Sequence, residues 1–491
     1  MSNEKNEVTH QKNLTQQTMS GMIWKFLEKA GSQIMQMIIQ IVLARLLLPK
    51  DYGLVGLLTI FIIISDVFIL QGLTTALIQK KDADETDFSS VFYANIVISV
   101  LLYIILFFTA PLIAAFYGEP QLTEIMRVLA INVIIGAIPA VHNAILARNL
   151  DFKKSFFRNI SNVMTQGAVG ITLACLGFGA WAMVYSKVAG VFVGAVVLCF
   201  TVKWKPRKLY SMERIKKLFS YSSKVLGTNL LNTIFNNIHS LIIGRYYTTA
   251  DLGYYQRGQQ IPQAVMSSLD GSMTEVLYPA FSKVQYDLDL LKKALRRSLR
   301  TSMFVVLPVL FGLFAIAEPL TLILLTEKWL PSVPFMRLAC IVCMFWPLSH
   351  RTHALNAIGM SSVTLKLSLI GKGITLIFIF ICIRFGIYAI MLGSIFSSSI
   401  CLLITSYYIN KYIHYSLREL IIDIYRPFLL AGFMAAVVLL IGLLNINILL
   451  RLFLQIIIGA AIYITGSKLA HIDSYEYIKN TIKNYLNKRK K

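Results

Sequence analysis

Six amide side chains stand on two helical stripes. Gln33, Gln36 and Gln40 follow the spacing i, i+3, i+7, which places them on one face of a helix, and Asn229, Asn232 and Asn236 repeat it. Cations lie on neighbouring apolar runs: Lys25, Lys187, Arg257 and Lys372, with His239 just beyond the second stripe. Amides bond hydroxyl groups, while Lys and Arg neutralise phosphate, so the set suits an anionic, sugar-bearing ligand in a water-filled cavity. The expected cavity residues are Lys25, Gln36, Gln40, Asn232, Asn236, His239, Arg257 and Lys187. The plainer reading is that the amides are hydrogen-bond glue between packed helices. Recurrence of the polar positions in both halves of the chain favours the cavity. Asp66, in the middle of the apolar run IIISDVFILQG, has three readings. It binds a coupling cation, pairs with a cavity base, or faces a polar neighbour.

The elements carrying these residues belong to a repeat. IVLARLLLPKDYGL, from Ile41, returns as LIIGRYYTTADLGY, from Leu241, with Arg45, Asp51 and Gly53 falling on Arg245, Asp251 and Gly253, 200 positions on. Fainter echoes follow: Pro111 with Pro319, Glu119 with Glu327, and Met126-Arg127 with Met336-Arg337, at offsets drifting from 208 to 210. A repeat of this length in a hydrophobic chain points to a membrane transporter built from two similar halves around a central site.

Composition sets the class. Hydrophobic residues make up 56% and charged residues 14%, with a mean hydropathy of +0.65. A soluble domain carries about 25% charged residues. A spanning helix needs about 20 largely apolar residues, so 491 residues hold about fourteen spans, placed between 20 and 467. The net charge of +23 sits in loops between apolar runs, which argues for membrane orientation and against nucleic acid. Cys340 and Cys343 lie on an apolar run and read as packing residues rather than a metal or redox pair. The six cysteines all fall in such runs, so no disulfide framework is expected. The first twenty residues are polar throughout, with no cleavable signal expected. No nucleotide-binding loop and no HExxH is present, and no cofactor or catalytic domain is expected.

The expected fold is an all-α polytopic membrane protein with two pseudo-symmetric six-helix lobes around a central cavity. Residues 1–203 form the N-terminal lobe and 204–218 a basic cytoplasmic linker. Residues 219–410 form the C-terminal lobe, 411–467 an extra helix pair, and 468–491 a basic cytoplasmic tail. Lys and Arg crowd alternate loops, from Lys80 and Lys81 through KWKPRK at Lys203 to the terminal NKRKK. Both termini are therefore expected in the cytoplasm. SMERIKKLFS from Ser211 and DLDLLKKALRRSLR from Asp287 read as amphipathic helices at the headgroup level, the first capped by Ser211. Pro139 and Pro347 are expected to bend the fourth and tenth spans, with His142 and His350 in structural roles beside them.

The chain resembles the Wzx group of polysaccharide flippases within the multidrug/oligosaccharidyl-lipid/polysaccharide (MOP) superfamily, and within it the colanic-acid and teichuronic-acid exporter branch. SGMIWKF, LARLLLPKDYGLVGL and QGLTTALIQKKD carry the resemblance in the first half. IIGRYYTTADLGYYQRGQQIP, VLYPAFSKVQ and EKWLPSVPFMRLAC carry it in the second. It implies translocation of undecaprenyl-diphosphate-linked glycan units across a bacterial cytoplasmic membrane by alternating access. The first, second, seventh and eighth helices would wall the cavity, with Lys25, Asp66, His239 and Arg257 contacting glycan, diphosphate or ion. Implied partners are membrane lipids, a polysaccharide polymerase with its assembly proteins, and a coupling cation. The chain departs from the pattern at His239, where many members carry an acid. The alternative within the superfamily is ion-coupled multidrug efflux. The excess of bases over acids in the spans favours an anionic cargo. A membrane glycosyltransferase would need a large outer loop with a catalytic acid or base, and none is found.

Overall fold

The protein is seen as a computed structural model that describes residues 24, 28, 29, 31–149 and 151–480. Helices account for nearly all of it, and no strand occurs among the described residues. The order is α1 (Gly31–Leu46), α2 (Pro49–Gln79), α3 (Glu85–Tyr117), α4 (Leu122–Ala137 with Ala140–Arg148), α5 (Phe152–Cys175), α6 (Ala180–Thr201) and α7 (Met212–Tyr246). There follow α8 (Thr249–Lys283), α9 (Leu288–Leu324), α10 (Glu327–Ala357), α11 (Ser361–Phe385), α12 (Ile387–Ile413), α13 (Leu417–Gly442) and α14 (Ile448–Leu469). Each matches one expected span. Among the described residues nine are long and apolar enough to cross a membrane, or ten if α4, bent by 41° around Pro139, counts as one. Pro347 sits in a 3-10 stretch, Trp346–Ser349, that interrupts α10.

Two compact units divide the chain, 1–253 and 254–491. The cut falls after α7 because α7 packs on α2 and α3, so compactness and the basic linker at 204–218 divide the chain at different places.

In the first unit, α3 is inverted relative to a soluble helix. Asp87, Ser89, Asn95 and Ser99 are fully buried, while Val97, Leu101, Phe108 and Leu112 face outward, Phe108 at 72% exposure. Apolar side chains this exposed require a lipid solvent, and the inward polar groups bond one another, as Asn95 Nδ2 donates to Thr74 Oγ1 at 3.1 Å. The linker is pinned to the start of α3. Trp204 donates to Glu85 (3.1 Å), the Arg207 and Ser211 amides donate to Ser89 and Ser90 (both 3.0 Å), and Arg214 pairs with Asp84. The Arg214 hydrogen bond, above all, holds the Asp84 carboxyl down at about 2. His142 is buried edge-on against Trp204 at 5.2 Å, a packing role as expected.

Arg148 closes the end of α2, donating to the carbonyls of Leu77, Lys80 and Lys81 at 2.8, 2.5 and 3.0 Å. The Leu77 carbonyl is one that a helix end leaves without an intrahelical partner, and those of Lys80 and Lys81 follow directly after that end. Arg148→Met is expected to cost about 2 kcal/mol, through carbonyls stripped of a charged donor. A thermal melt of the detergent-solubilised protein reads this directly, and an unchanged midpoint would mean water replaces the guanidinium.

The repeat explains itself at the starts of α2 and α8. Asp51 accepts the Leu48 amide at 2.9 Å, and Asp251 accepts the Thr248 amide at 3.2 Å, so each aspartate caps its own helix. A Cβ on Gly53 would lie 1.7 Å from the Thr249 carbonyl oxygen, and one on Gly253 would lie 2.1 Å from that of Pro49. The two contacts exchange under the 200-residue offset, as in an isologous interface, and both lie inside the first unit. Glu119 joins the same spot, bonding the Thr249 hydroxyl at 3.1 Å and facing Lys50 at 3.6 Å. Later echoes also share a use. Arg127 lies over Phe107 at 4.3 Å, and Arg337 over Phe314 at 5.9 Å.

In the second unit, α9 packs along α13 and α14. Leu291, Leu295 and Leu299 are fully buried in the protein core beside Met303 and Leu307. The helix expected over 287–300 turns its leucine face to protein and continues unbroken into α9, the span it was expected to lead into. The helix over 211–220, which Ser211 does cap (3.5 Å to the Arg214 amide), likewise runs on without a break as α7. Cys340 and Cys343 are buried in the second unit's apolar core.

Candidate functional site

The amide stripes fall on α1 and α7. Small residues seat α1 against α5: a Cβ on Gly167 would meet Ile39 at 2.7 Å, and Gly170 approaches Leu43. Glu28, buried, accepts the Asn159 amide. On this anchored helix Gln33 and Gln36 are exposed and Gln40 is half-buried. On α7 every side chain from 227 to 242 is exposed or half-buried within its unit, including Asn232, Asn236 and His239. The stripes are therefore not sealed in dry packing inside the first unit. Lys25 lies outside the described residues.

Lys187 meets the Asp66-bearing helix inside the first unit. Thr59 and Asp66, seven residues apart, share a face of α2. Lys187 reaches across from α6 to donate to Thr59 Oγ1 at 2.7 Å, on the face of α2 that also carries Asp66. Thr59 went unnoticed in the sequence because its role depends on which face of α2 meets α6.

In the second unit Arg257, only 6% exposed, lies over the Trp329 ring at 5.6 Å and bonds Gln260. It is an interior cation of α8 supported by the Glu327–Ser332 turn, on which Trp329 is fully buried. Gly258 permits this, since a Cβ there would meet Phe335 at 2.6 Å. One further pair was missed: His350 Nε2 lies 3.0 Å from Asp270 Oδ1 on α8, with the imidazole fully buried. A signal existed. Asp270 follows Asp66 by 204 residues, between the repeat offsets of 200 and 208.

These helices define a class: a multi-pass α-helical membrane protein with the fold of the MOP transporters. The chain matches the lipid II flippase MurJ, in its inward closed conformation, over 93% of its own length and 99% of that chain, with a TM-score of 0.74 at 16% identity. An inward-facing multidrug resistance MATE family transporter of the MOP superfamily matches over 79% of this chain and 98% of that one (TM-score 0.61, 14% identity). Residues 42–334, more than half the chain, match the family described as polysaccharide biosynthesis protein, and the chain belongs to that family. Its curated relatives include the teichuronic acid biosynthesis protein TuaB of Bacillus subtilis (strain 168), 26% identical over 67% of this chain and 68% of the relative. The succinoglycan biosynthesis transport protein ExoT of Rhizobium meliloti (strain 1021) is 28% identical over 65% and 64%. The lipopolysaccharide biosynthesis protein WzxC of Escherichia coli (strain K12) is 21% identical over 67% of each. The matched stretch thus spans about two thirds of these relatives. The resemblance read from the sequence is borne out.

Proposed function

We propose that the protein is a flippase moving undecaprenyl-diphosphate-linked oligosaccharide repeat units across the bacterial cytoplasmic membrane by alternating access, for export of a surface polysaccharide. The family match over 42–334, which covers both copies of the repeat, carries the reading. The unsealed amides of α1 and α7 support it, because a Gln or Asn side chain directed into hydrocarbon would go unpaired, while one lining a wet path meets sugar hydroxyls. In this reading Gln36, Gln40, Asn232, Asn236 and His239 contact glycan, Lys25, Lys187 and Arg257 offset diphosphate charge, and Asp66 is the candidate for a coupling cation. The lobes are 1–203 and 219–410, with 204–218 as linker and 411–467 as an added helix pair. The basic loops support a topology with both termini in the cytoplasm. A polymerase and its assembly proteins are the expected partners downstream.

Deleting the gene is expected to remove one surface polymer and leave its lipid-linked repeat facing the cytoplasm. An unchanged polymer profile would refute the assignment. Arg257→Ala, Lys25→Ala and the Asn232→Ala/Asn236→Ala double variant are each expected to lower export on the order of tenfold, the worth of one charged or two neutral hydrogen bonds. Membrane abundance should hold, measured by immunoblot beside polymer yield. Normal export in all three would remove the anionic-cavity assignment. Gain of cationic-dye efflux with no effect on polymer would instead identify a multidrug transporter.

A further inference from the structure

A cavity of about 410 Å³ opens in the second unit between the first turns of α9 and the helix over 473–480. Four cations of α9 line it, Lys293, Arg296, Arg297 and Arg300, against Asp473 and Tyr477. The charges do not balance. Arg296 makes a two-pronged bond to Asp423 (both 2.8 Å), while Arg300 bonds Asp423 at 2.5 Å and Asp473 at 3.2 Å. Two arginines are thus matched by two carboxylates. Lys293 and Arg297 remain, both exposed, and among the described residues neither has a carboxylate within ion-pair distance.

These two cations are held as a pair. Four residues apart, they are neighbours on the surface of α9. Arg297 lies 3.8 Å over the Tyr477 ring, which fixes its guanidinium before any ligand arrives. A planar guanidinium beside an ammonium fits the oxygens of a phosphate.

The surroundings indicate where that phosphate comes from. The charged stretch of α9 ends at Arg300 and the apolar stretch begins at Met303, so the pocket sits at the level where lipid headgroups meet hydrocarbon. A second cavity of about 230 Å³ shares Arg300 and Asp473 and continues to Ile422, Arg426 and Pro427 on α13. Beyond it Ile421, Ile422 and Leu429 are exposed at 57%, 51% and 64%, an apolar face beside the charged mouth. The chain's own tail carries Lys483, Lys488, Arg489, Lys490 and Lys491, the same sign as the pocket, and so cannot neutralise it.

We propose that this pocket binds the phosphate of an anionic phospholipid, with Lys293 and Arg297 supplying the charge and the outer face of α13 receiving the acyl chains. The site lies wholly within the second unit, apart from the amide stripes, and stands whether or not the flippase reading does.

The test uses the purified full-length protein in neutral detergent, with dihexanoyl phosphatidylglycerol, dihexanoyl phosphatidylcholine and inorganic phosphate titrated separately and read by thermal shift and native mass spectrometry. Phosphatidylglycerol is expected to stabilise the wild type saturably. Lys293→Gln/Arg297→Gln is expected to weaken that response about thirtyfold, the effect of two charges near a membrane surface. Phosphatidylcholine should do little to either protein. Equal responses of wild type and variant, or of the two lipids, would overturn the proposal. A response to inorganic phosphate as strong as to phosphatidylglycerol would overturn the lipid assignment. Should the double variant melt early without ligand, Lys293→Arg/Arg297→Lys preserves both charges and must retain the wild-type preference, while Tyr477→Ala, which frees Arg297, must weaken it.

Discussion

Gly53→Val and Gly253→Val are each expected to strip the protein from the membrane fraction or lower its melting point sharply, while Gly227→Ala leaves both unchanged. A Cβ at Gly227 meets nothing within 4 Å, whereas those at Gly53 and Gly253 fall 1.7 Å and 2.1 Å from backbone carbonyl oxygens. The obstructing atoms are main-chain groups in the first turns of α2 and α8. They cannot swing aside as a side chain would, so relief requires the two helices to separate. Overpacking of this kind costs about 3 kcal/mol or more. The reciprocal geometry makes a sharper claim. Each substitution forces the same two turns apart, so the double variant should cost clearly less than the two singles combined. Additive losses would mean two unrelated defects and would dismiss the paired contact. A melt series on the four proteins decides it, with the Asp51 and Asp251 caps untouched throughout.

What could be read from the residues alone divides along physical lines. Local patterns survived well. Apolar runs became helices, Pro139 and Pro347 interrupted theirs, and Ser211 capped its own. The repeat was visible because caps and close approaches need particular residue types, Asp and Gly, at fixed spacing. The amide stripes were visible for the same reason, as residue types on a helical period. Destinations were not legible. Leu291, Leu295 and Leu299 form a clean apolar face, but a protein core and a bilayer are equally apolar, so the spacing cannot say which one receives it. Partners far apart in sequence were hidden too. His350 finds Asp270, Lys187 finds Thr59, and Arg296 finds Asp423, each across a helix pair whose register only packing sets. Arg257 was recognised as a cation on a span, yet its seat over Trp329 depends on Gly258 letting α8 close on α10.

Asp423→Asn is expected to destabilise the second unit more than any single change to a surface charge, and at the same time to raise the affinity of the neighbouring pocket for anions. The Asp423 side chain is fully buried and accepts from Arg296, Arg300 and the Tyr415 hydroxyl (2.9 Å). Removing one partner of a buried ion pair costs about 3 to 5 kcal/mol, because the charges left behind are uncompensated. Here the lower end applies. The two arginine side chains are 30% and 34% exposed, so water reclaims part of each guanidinium, and Glu419 lies 3.5 Å from Arg296 as a substitute. Replacing Asp423, Arg296 and Arg300 together by apolar residues of similar volume should restore most of the loss, as buried pairs are often replaced without penalty. The two readouts then move in opposite directions in the single variant. Its melting point falls, while the one positive charge that Asp423 no longer offsets, shared by Arg296 and Arg300 beside their remaining partners Glu419 and Asp473, adds to Lys293 and Arg297 at the cavity and tightens phosphatidylglycerol binding. A merely structural cluster would lower the melting point and leave lipid affinity where it was.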